Sequence, residues 1–270
     1  MWVFCGGMRR SGSTLQFQLT AHLVEQAGLG SRIDAARAVE FPRLREEYAG
    51  QSGWKVFKSH RCTPEMAAEV RAGNATAVYV FRDIRDVLVS WRDWSNESIE
   101  RASRGTLDAI LGNFERWTSL EGVLISRYEE MVADVPAEVR RIAAHLDIPV
   151  SREESESIAA QYSVARQLKR IEQGGEQVPG GPPRAVGDRG SNLRRKHIRS
   201  GETGRWATVL SRRQVALIEG RAGEWLLANG YQLALPRWQR VPLQALNVAT
   251  GPRFPWGRRK ERGPHAAGSD

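Results

Sequence analysis

Short apolar runs alternate with stretches of helical periodicity along the first 150 residues. Four runs have the length of buried strands, namely residues 2–5, 55–58, 77–81 and 123–125. The segments between and after them repeat apolar residues at helical spacing. They are a helix that Gly28 ends, one that begins at Pro64, one around residues 87–89, and residues 106–121 and 135–146. Strand, turn and helix thus alternate four times, which is typical of a parallel sheet covered by helices on both faces.

The pattern changes beyond residue 150. Residues 151–171 and 211–227 have helical periodicity, whereas residues 174–190 contain three prolines and are predicted to lack regular structure. Prolines recur in residues 231–270, which are therefore predicted to form a coil or an extended arm. We predict one α/β domain over residues 1–230, followed by a basic tail rich in proline and glycine.

The composition is that of a globular protein, with 41% hydrophobic and 26% charged residues. No apolar run reaches the roughly 18 residues of a membrane span, and the opening residues leave no room for a signal peptide. Cys5 and Cys62 are too few for a disulfide framework or a four-ligand zinc site. We therefore expect a cytoplasmic protein without a membrane span.

The positive charge is concentrated in two segments. Of the net charge of +9, residues 231–270 contribute +5 and residues 171–200 contribute +3, so the rest of the chain is nearly neutral. Such a distribution favours a local patch for an anionic ligand over a surface that coats DNA.

The first strand leads into a glycine-rich segment. Residues 7–14 read GMRRSGST, which is the spacing of a phosphate-binding loop before a helix. Backbone N–H groups and the positive end of the helix suit such a loop to an anion. A nucleoside triphosphatase would need lysine where Ser13 stands, and Arg10 supplies a cation three residues earlier. The alternative is a plain strand-to-helix turn.

Charged residues follow two further strands. Arg82 comes directly after residues 77–81, where a nucleoside triphosphatase would place an aspartate for Mg²⁺. A guanidinium at that point suits a phosphate, although a solvated helix start would look similar. Lys58 and His60 end the second strand. A histidine can take a proton from a hydroxyl, and a lysine can stabilise charge on a leaving group.

Together these segments resemble the sulfotransferases that use 3′-phosphoadenosine 5′-phosphosulfate (PAPS). Residues 10–14 resemble the family's 5′-phosphosulfate loop, residues 82–90 its 3′-phosphate segment, and residues 58–60 its Lys-Thr-His strand end. The matching positions are Arg10, Ser11, Gly12, Ser13 and Thr14 in the first segment and Arg82, Asp86 and Ser90 in the second. Departures are an arginine for the usual lysine at residue 10, and Leu15 where an adenine-stacking aromatic often follows.

Two later segments extend the resemblance. Residues 199–206 resemble the family's Arg-Lys-Gly-x-x-Gly-Asp-Trp segment, which closes over the 3′-phosphate. Arg199, Gly201, Gly204 and Trp206 match, whereas Ser200 and Arg205 depart. Residues 128–131 resemble a Tyr-Glu-Asp-Leu/Met segment whose tyrosine lies beside the adenine, which is Tyr128 here.

The resemblance implies a P-loop-like parallel sheet and transfer of a sulfuryl group from PAPS to a hydroxyl, leaving PAP. The acceptor would belong to a small molecule, lipid or glycan. His60 would deprotonate it, while Lys58 and Arg10 stabilise the leaving phosphate without a metal. Another branch of the family uses a glutamate base, for which Glu40 is the alternative candidate. The implied donor-binding residues are Arg10, Ser11, Gly12, Ser13, Thr14, Arg82, Ser90, Tyr128, Arg199, Ser200 and Gly201.

Two other functions remain open on the sequence. A small-molecule or nucleotide kinase lacks its Walker lysine and acidic metal ligand here, and a basic nucleic-acid-binding protein lacks a recognition motif. We therefore expect no nucleic-acid partner, and the oligomeric state stays open. Trp91, Trp94 and Trp117 either line an acceptor site or pack in the core, which is the more frequent use of tryptophan.

Overall fold

Five parallel strands form the central sheet in the order β2-β3-β1-β4-β5. The strands are β1 (Trp2–Gly7), β2 (Gly30–Arg32), β3 (Trp54–Lys58), β4 (Ala75–Phe81) and β5 (Val123–Arg127). The computed structural model describes residues 1–33, 36–172, 187–188, 193–194 and 202–239. The chain divides into two units, residues 1–210 and 211–270, and the sheet belongs to the first. The predicted domain boundary at residue 230 stays a prediction.

Helices connect the strands and follow the last one. They are α1 (Ser13–Gln26), α2 (Phe41–Glu47), α3 (Pro64–Arg71), α4 (Ile84–Ser95), α5 (Ile99–Ala102), α6 (Thr106–Thr118), α7 (Tyr128–Ala133), α8 (Val135–His145), α9 (Arg152–Gln161), α10 (Val164–Glu172) and α11 (Trp206–Val209). Side chains cap several of them: the Thr63 hydroxyl accepts from a backbone N–H of α3, and the Asp83 carboxylate from one of α4.

Successive side chains of β1 point to opposite faces of the sheet and pack in two separate cores. Val3 and Cys5 lie in an aliphatic cluster with residues of α1, α8 and α9. Trp2 and Phe4 point the other way, where both make edge contacts with Phe41 at ring distances of 5.1 Å. Because successive strand residues face opposite sides, this pattern requires both faces of β1 to be covered. The prediction of a parallel sheet flanked by helices is confirmed.

The four predicted strands are present, and β2 is an addition. Its three residues are polar or small and only partly buried, so they form no apolar run. Residues 151–171 are helical as predicted except for a short break, because α9 ends at Gln161 and α10 begins at Val164. The absence of regular structure predicted for residues 174–190 is wrong at Gly187–Asp188, which pairs with Leu193–Arg194 (β6 and β7). That short pairing lies beyond the three prolines.

The described part of the second unit contains α12 (Arg212–Ala228). Its Ser211 and Gln214 form a reciprocal capping box at the helix start. The buried Glu219 carboxylate accepts N–H bonds from Ala234 and Leu235, which ties the chain after the helix back onto it. In the described residues, no helix combines the length and apolar character that crossing a bilayer requires. Most of the predicted tail lies outside the described residues.

Candidate active site

The carboxyl ends of three adjacent strands bring the predicted segments together. β1 lies between β3 and β4, with Cys5 paired to Lys58 on one side and Gly7 paired to Val80 on the other. The chain therefore leaves all three strands at the centre of one sheet edge. Ligands of open parallel sheets bind at such an edge, outside the carboxyl ends of the strands.

The loop between β1 and α1 is held in an uncommon backbone conformation. Arg10 and Gly12 both have positive φ, at 66° and 79°. The Ser11 hydroxyl donates to the carbonyls of Met8 and Val80, at 2.7 and 3.0 Å, so this buried side chain fastens the loop to itself and to β4. Ser11 therefore shapes the loop, and its hydroxyl is directed to carbonyls of the protein.

Gly12 also allows a close approach that any Cβ would prevent. An added Cβ would lie 2.7 Å from the Tyr128 ring. Gly28 provides a matched comparison, because it has a φ of 66° and nothing within 4 Å of an added Cβ. Both glycines carry the same left-handed backbone requirement, and one of them carries a packing requirement as well.

We expect Gly12→Ala to lower the free energy of unfolding by about 1–3 kcal/mol more than Gly28→Ala does, since overpacking adds to a shared backbone cost. Urea denaturation of both variants measures the difference. Equal losses in the two variants would show that Tyr128 moves away from the new methyl group without cost.

One cavity of about 420 Å³ lies over this edge of the sheet. Its lining combines residues from the loop, from the ends of β3 and β4, and from α4. Among the predicted site residues, Arg10, Gly12, Ser13, Thr14, Lys58, His60, Arg82, Ser90 and Tyr128 all line it. Residues separated by more than 100 positions in the sequence are thus brought to one cavity.

Lys58 and His60 are oriented by hydrogen bonds to the loop. The Lys58 ammonium donates to the Thr14 hydroxyl at 2.7 Å. The His60 Nδ1 lies 2.9 Å from the Gly7 carbonyl, which can only accept. Nδ1 therefore carries the proton in the neutral imidazole, and the lone pair resides on Nε2. Such a tautomer suits the ring to accept a proton at Nε2.

Arg82 is a buried cation at the opposite side of the loop. Its guanidinium lies over the Tyr128 ring at 4.3 Å and donates to the Asp86 carboxylate at 3.3 Å. It also donates to the backbone carbonyls of Arg10 and Glu202. Burial raises the pKa of the Tyr128 phenol and outweighs the lowering effect of Arg82, so this phenol stays protonated at neutral pH.

Asp86 on α4 binds the backbone of residues 202–206, the described part of the glycine segment at residues 199–206. Its carboxylate accepts the backbone N–H groups of Gly204 at 2.7 Å and of Trp206 at 2.9 Å. The Arg85 guanidinium lies 3.7 Å from the centre of the Trp206 ring. Residues 202–206 therefore lie close to Arg82, which donates to the Glu202 carbonyl. The predicted role of residues 199–206 near a phosphate stays a prediction.

Arg205, which departs from the family pattern, has a partner on α4, the helix that also carries Asp86. It forms an ion pair with Asp93 at 2.7 Å. Burial raises the pKa of Asp93, but hydrogen bonds from Arg205 and Arg92 outweigh it, and the net pKa is lowered. The arginine is thus accommodated by an aspartate on α4, a pairing that neither segment indicates alone.

Arg10 reaches across the cavity to α4, where its Nε donates to the Ser90 hydroxyl at 2.9 Å. The cavity lining thus contains Arg10, Lys58 and Arg82 as cations and several hydroxyl donors. The donors and positive charges suit phosphate and sulfate oxygens, so the residues present fit an adenosine donor with two anionic ends.

Glu40 has a different environment. It ends a short 3-10 helix, Ala38–Glu40, and is not part of the cavity lining. Its carboxylate accepts from the backbone N–H of Arg37 at 2.7 Å and from the Arg37 side chain, and these bonds lower its pKa. A lower pKa makes a carboxylate a weaker base, so the geometry favours His60 over Glu40.

Four residues that line the cavity are not among the predicted site residues, and three predicted site residues lie outside the described part of the chain. Arg9, Asp86, Glu202 and Arg205 line the cavity without having been predicted as site residues. For Asp86 the signal was its place in register within residues 82–90. The predicted ligands Arg199, Ser200 and Gly201 lie outside the described residues. Trp91 and Trp94 line the cavity, whereas Trp117 is fully buried in the core.

Comparisons with known proteins find relatives of one kind. A family model described as a sulfotransferase domain matches residues 3–226. Cytosolic sulfotransferase 9 of Arabidopsis thaliana is 28% identical over 141 residues, 40% of this chain and 40% of that protein. Cytosolic sulfotransferase 1 of the same plant is 27% identical over 178 residues, 58% of this chain and 52% of that protein. The chain thus matches about half or less of the length of these relatives.

Solved structures share the fold at low sequence identity. Retinol dehydratase in complex with androsterone and the inactive cofactor PAP has a TM-score of 0.58 and 17% identity, covering 87% of this chain and 82% of that one. A mouse sulfotransferase complexed with PAP has a TM-score of 0.53 and 17% identity, covering 89% of this chain and 87% of that one.

Proposed function

The chain belongs to the sulfotransferase domain family, and from that membership we propose that it transfers a sulfuryl group from PAPS to an acceptor hydroxyl. One observation carries this proposal. A single cavity is lined by His60 and by three cations at one sheet edge. Arg10 lies in the loop after β1, Lys58 ends β3, and Arg82 directly follows β4. The acceptor hydroxyl would belong to a small molecule, lipid or glycan.

The two anionic ends of the donor would be held by different segments. The loop of residues 10–14, with Lys58, would bind the 5′-phosphosulfate through backbone N–H groups and the α1 N-terminus. Arg82 and Ser90 would bind the 3′-phosphate, joined by Arg199, Ser200 and Gly201 as predicted ligands. The fold neighbours complexed with PAP support the choice of donor.

The bound donor supplies a sulfuryl group on a phosphate leaving group. His60 would take the acceptor proton at Nε2 while its Nδ1 proton stays on the Gly7 carbonyl. Lys58 and Arg10 would stabilise the negative charge that develops on the leaving phosphate. Thr14, 2.7 Å from the Lys58 ammonium, would keep that cation at the loop.

The proposal also includes the cellular location, the metal requirement and the partners of the protein. The curated relatives are named cytosolic, which supports a cytoplasmic location. That the reaction needs no metal stays a prediction, and so does the absence of a nucleic-acid partner.

Calorimetric titration tests the proposed donor against the two other functions. We expect PAP to bind in the presence of EDTA with a Kd in the micromolar range or below, because its two anionic groups meet separate cations. Mg·ATP and a single-stranded oligonucleotide at physiological salt are the comparison ligands. Tighter binding of Mg·ATP would favour a kinase, and tighter, salt-sensitive binding of the oligonucleotide would favour a nucleic-acid-binding protein.

A further inference from the structure

The cavity extends along α4 away from the proposed 3′-phosphate site. Asp86, Ser90 and Trp94 all line it, and the eight positions from the first to the last correspond to about 12 Å of helix. Asp86 lies at the Arg82 end. Trp94, with Trp91, lies at the far end, where apolar rings replace phosphate-binding groups. The far end therefore has the composition of an acceptor site, an assignment that rests on the proposed function.

The Trp91 ring is fixed in place at this end. Its indole N–H donates to the Glu97 carboxylate at 2.6 Å, and Glu97 also accepts from the Thr106 hydroxyl at 2.9 Å. Trp91 and Trp94 contact each other with ring centres 5.1 Å apart. A ring held in this way offers a rigid flat surface with little conformational entropy to lose on binding.

Arg9 places a positive charge at the same rings. Its guanidinium carbon lies 5.3 Å from the centre of the Trp91 ring, and Arg9 lines the cavity. A guanidinium over a ring retains N–H donors in its own plane, where they match the two oxygens of a carboxylate.

Arg9 differs in its partners from two other arginines of the cavity lining, Arg82 and Arg205. Arg82 has Asp86 and Arg205 has Asp93 as carboxylate partners. Within the described part of the chain, no carboxylate forms an ion pair with Arg9, whose contact is the face of Trp91. The donor-binding residues proposed above do not include it. The acceptor end therefore carries a positive charge that the donor does not use.

We propose that the acceptor is a hydroxylated aromatic carboxylate, whose ring packs against Trp91 and Trp94 and whose carboxylate binds Arg9. The carboxylate is a recognition group and takes no part in the transfer. The acceptor hydroxyl gives its proton to His60 and its oxygen forms the new bond to sulfur, as the S–O bond to the leaving phosphate breaks. Arg9 is thus assigned as a specificity-determining residue.

The test compares two ligands of nearly the same size and shape, one with an anionic and one with a neutral terminal group. 4-Hydroxyphenylacetate and its neutral amide, 4-hydroxyphenylacetamide, are titrated into the full chain saturated with PAP. We expect about fivefold tighter binding of the carboxylate to the unmodified protein, because an exposed ion pair contributes up to about that factor. We expect the ratio of affinities to fall to about one in Arg9→Gln. Arg9→Lys retains the charge and should keep part of the preference.

Arg71→Gln is the matched control, since it removes one exposed positive charge from α3, outside the cavity lining, and should leave the ratio unchanged. An equal affinity for both ligands in the unmodified protein overturns the proposal. So does an unchanged ratio in Arg9→Gln, or failure of both ligands to bind. Failure of PAP to bind in the first step instead overturns the proposed function, and this inference with it.

Discussion

Replacing His60 by glutamine is expected to lower the turnover number by about 10²–10⁴-fold, the usual contribution of a general base. A glutamine amide can still donate to the Gly7 carbonyl, so the variant removes the basic nitrogen and keeps the local hydrogen bond. The measurement is the rate of sulfuryl transfer from PAPS to 4-hydroxyphenylacetate, monitored through the release of PAP. The affinity for PAP should remain within about twofold, since His60 acts on the acceptor.

Glu40→Gln provides the comparison for this experiment. Glu40 lies outside the cavity lining, and its hydrogen bonds with Arg37 lower its pKa, so we expect at least half of the original turnover in the variant. A large loss in Glu40→Gln together with full turnover in His60→Gln would transfer the role of the base to the glutamate. Turnover close to normal in both variants would place the base elsewhere.

Replacing Arg82 by alanine is expected to weaken PAP binding by about 100-fold. The guanidinium is buried between the Tyr128 ring and Asp86, and loss of a buried charged hydrogen-bond partner costs about 2–5 kcal/mol. Adenosine 5′-phosphate, which lacks the 3′-phosphate, separates a local effect from a global one. Its affinity should change by no more than about threefold in the same variant.

Arg43→Ala is the matched control for the loss of one positive charge. Arg43 is exposed on α2 and pairs with Glu47, so its removal should leave the affinity for PAP unchanged. Thermal unfolding of both variants shows whether the fold is retained. An equal loss of affinity for PAP and for adenosine 5′-phosphate in Arg82→Ala would contradict the assignment of Arg82 to the 3′-phosphate.

Much of the candidate site could be predicted from local sequence, because several of its side chains lie at or just after the ends of strands. The apolar run of β4 predicts a strand, and Arg82 then falls at the sheet edge whatever its neighbours do. The same reasoning places Lys58 at the end of β3 and His60 two residues beyond it. Trp117 repeats the apolar period of α6, with Leu107, Ile110 and Phe114, so its place in the core follows from the helix.

Long-range contacts could not be predicted in the same way. The bonds from Asp86 to the backbone of Gly204 and Trp206 join residues 118 and 120 positions apart. Backbone N–H groups are common to every residue except proline, so the sequence gives no sign of which of them a carboxylate will bind. The contact of Arg9 is equally absent from the local sequence, since Arg9 lies in the loop before α1 and the ring that it contacts belongs to Trp91 on α4.

The attachment of the glycine segment to α4 has an evolutionary consequence. The Asp86 carboxylate accepts hydrogen bonds from the backbone N–H groups of Gly204 and Trp206, and Arg82 donates to the backbone carbonyl of Glu202. These bonds do not depend on which side chains residues 202, 203 and 205 carry. Mutations at those three positions therefore leave these main-chain bonds in place, although replacement of Arg205 removes its ion pair with Asp93. A neutral replacement of Asp86 would weaken both of its bonds to the segment in one step.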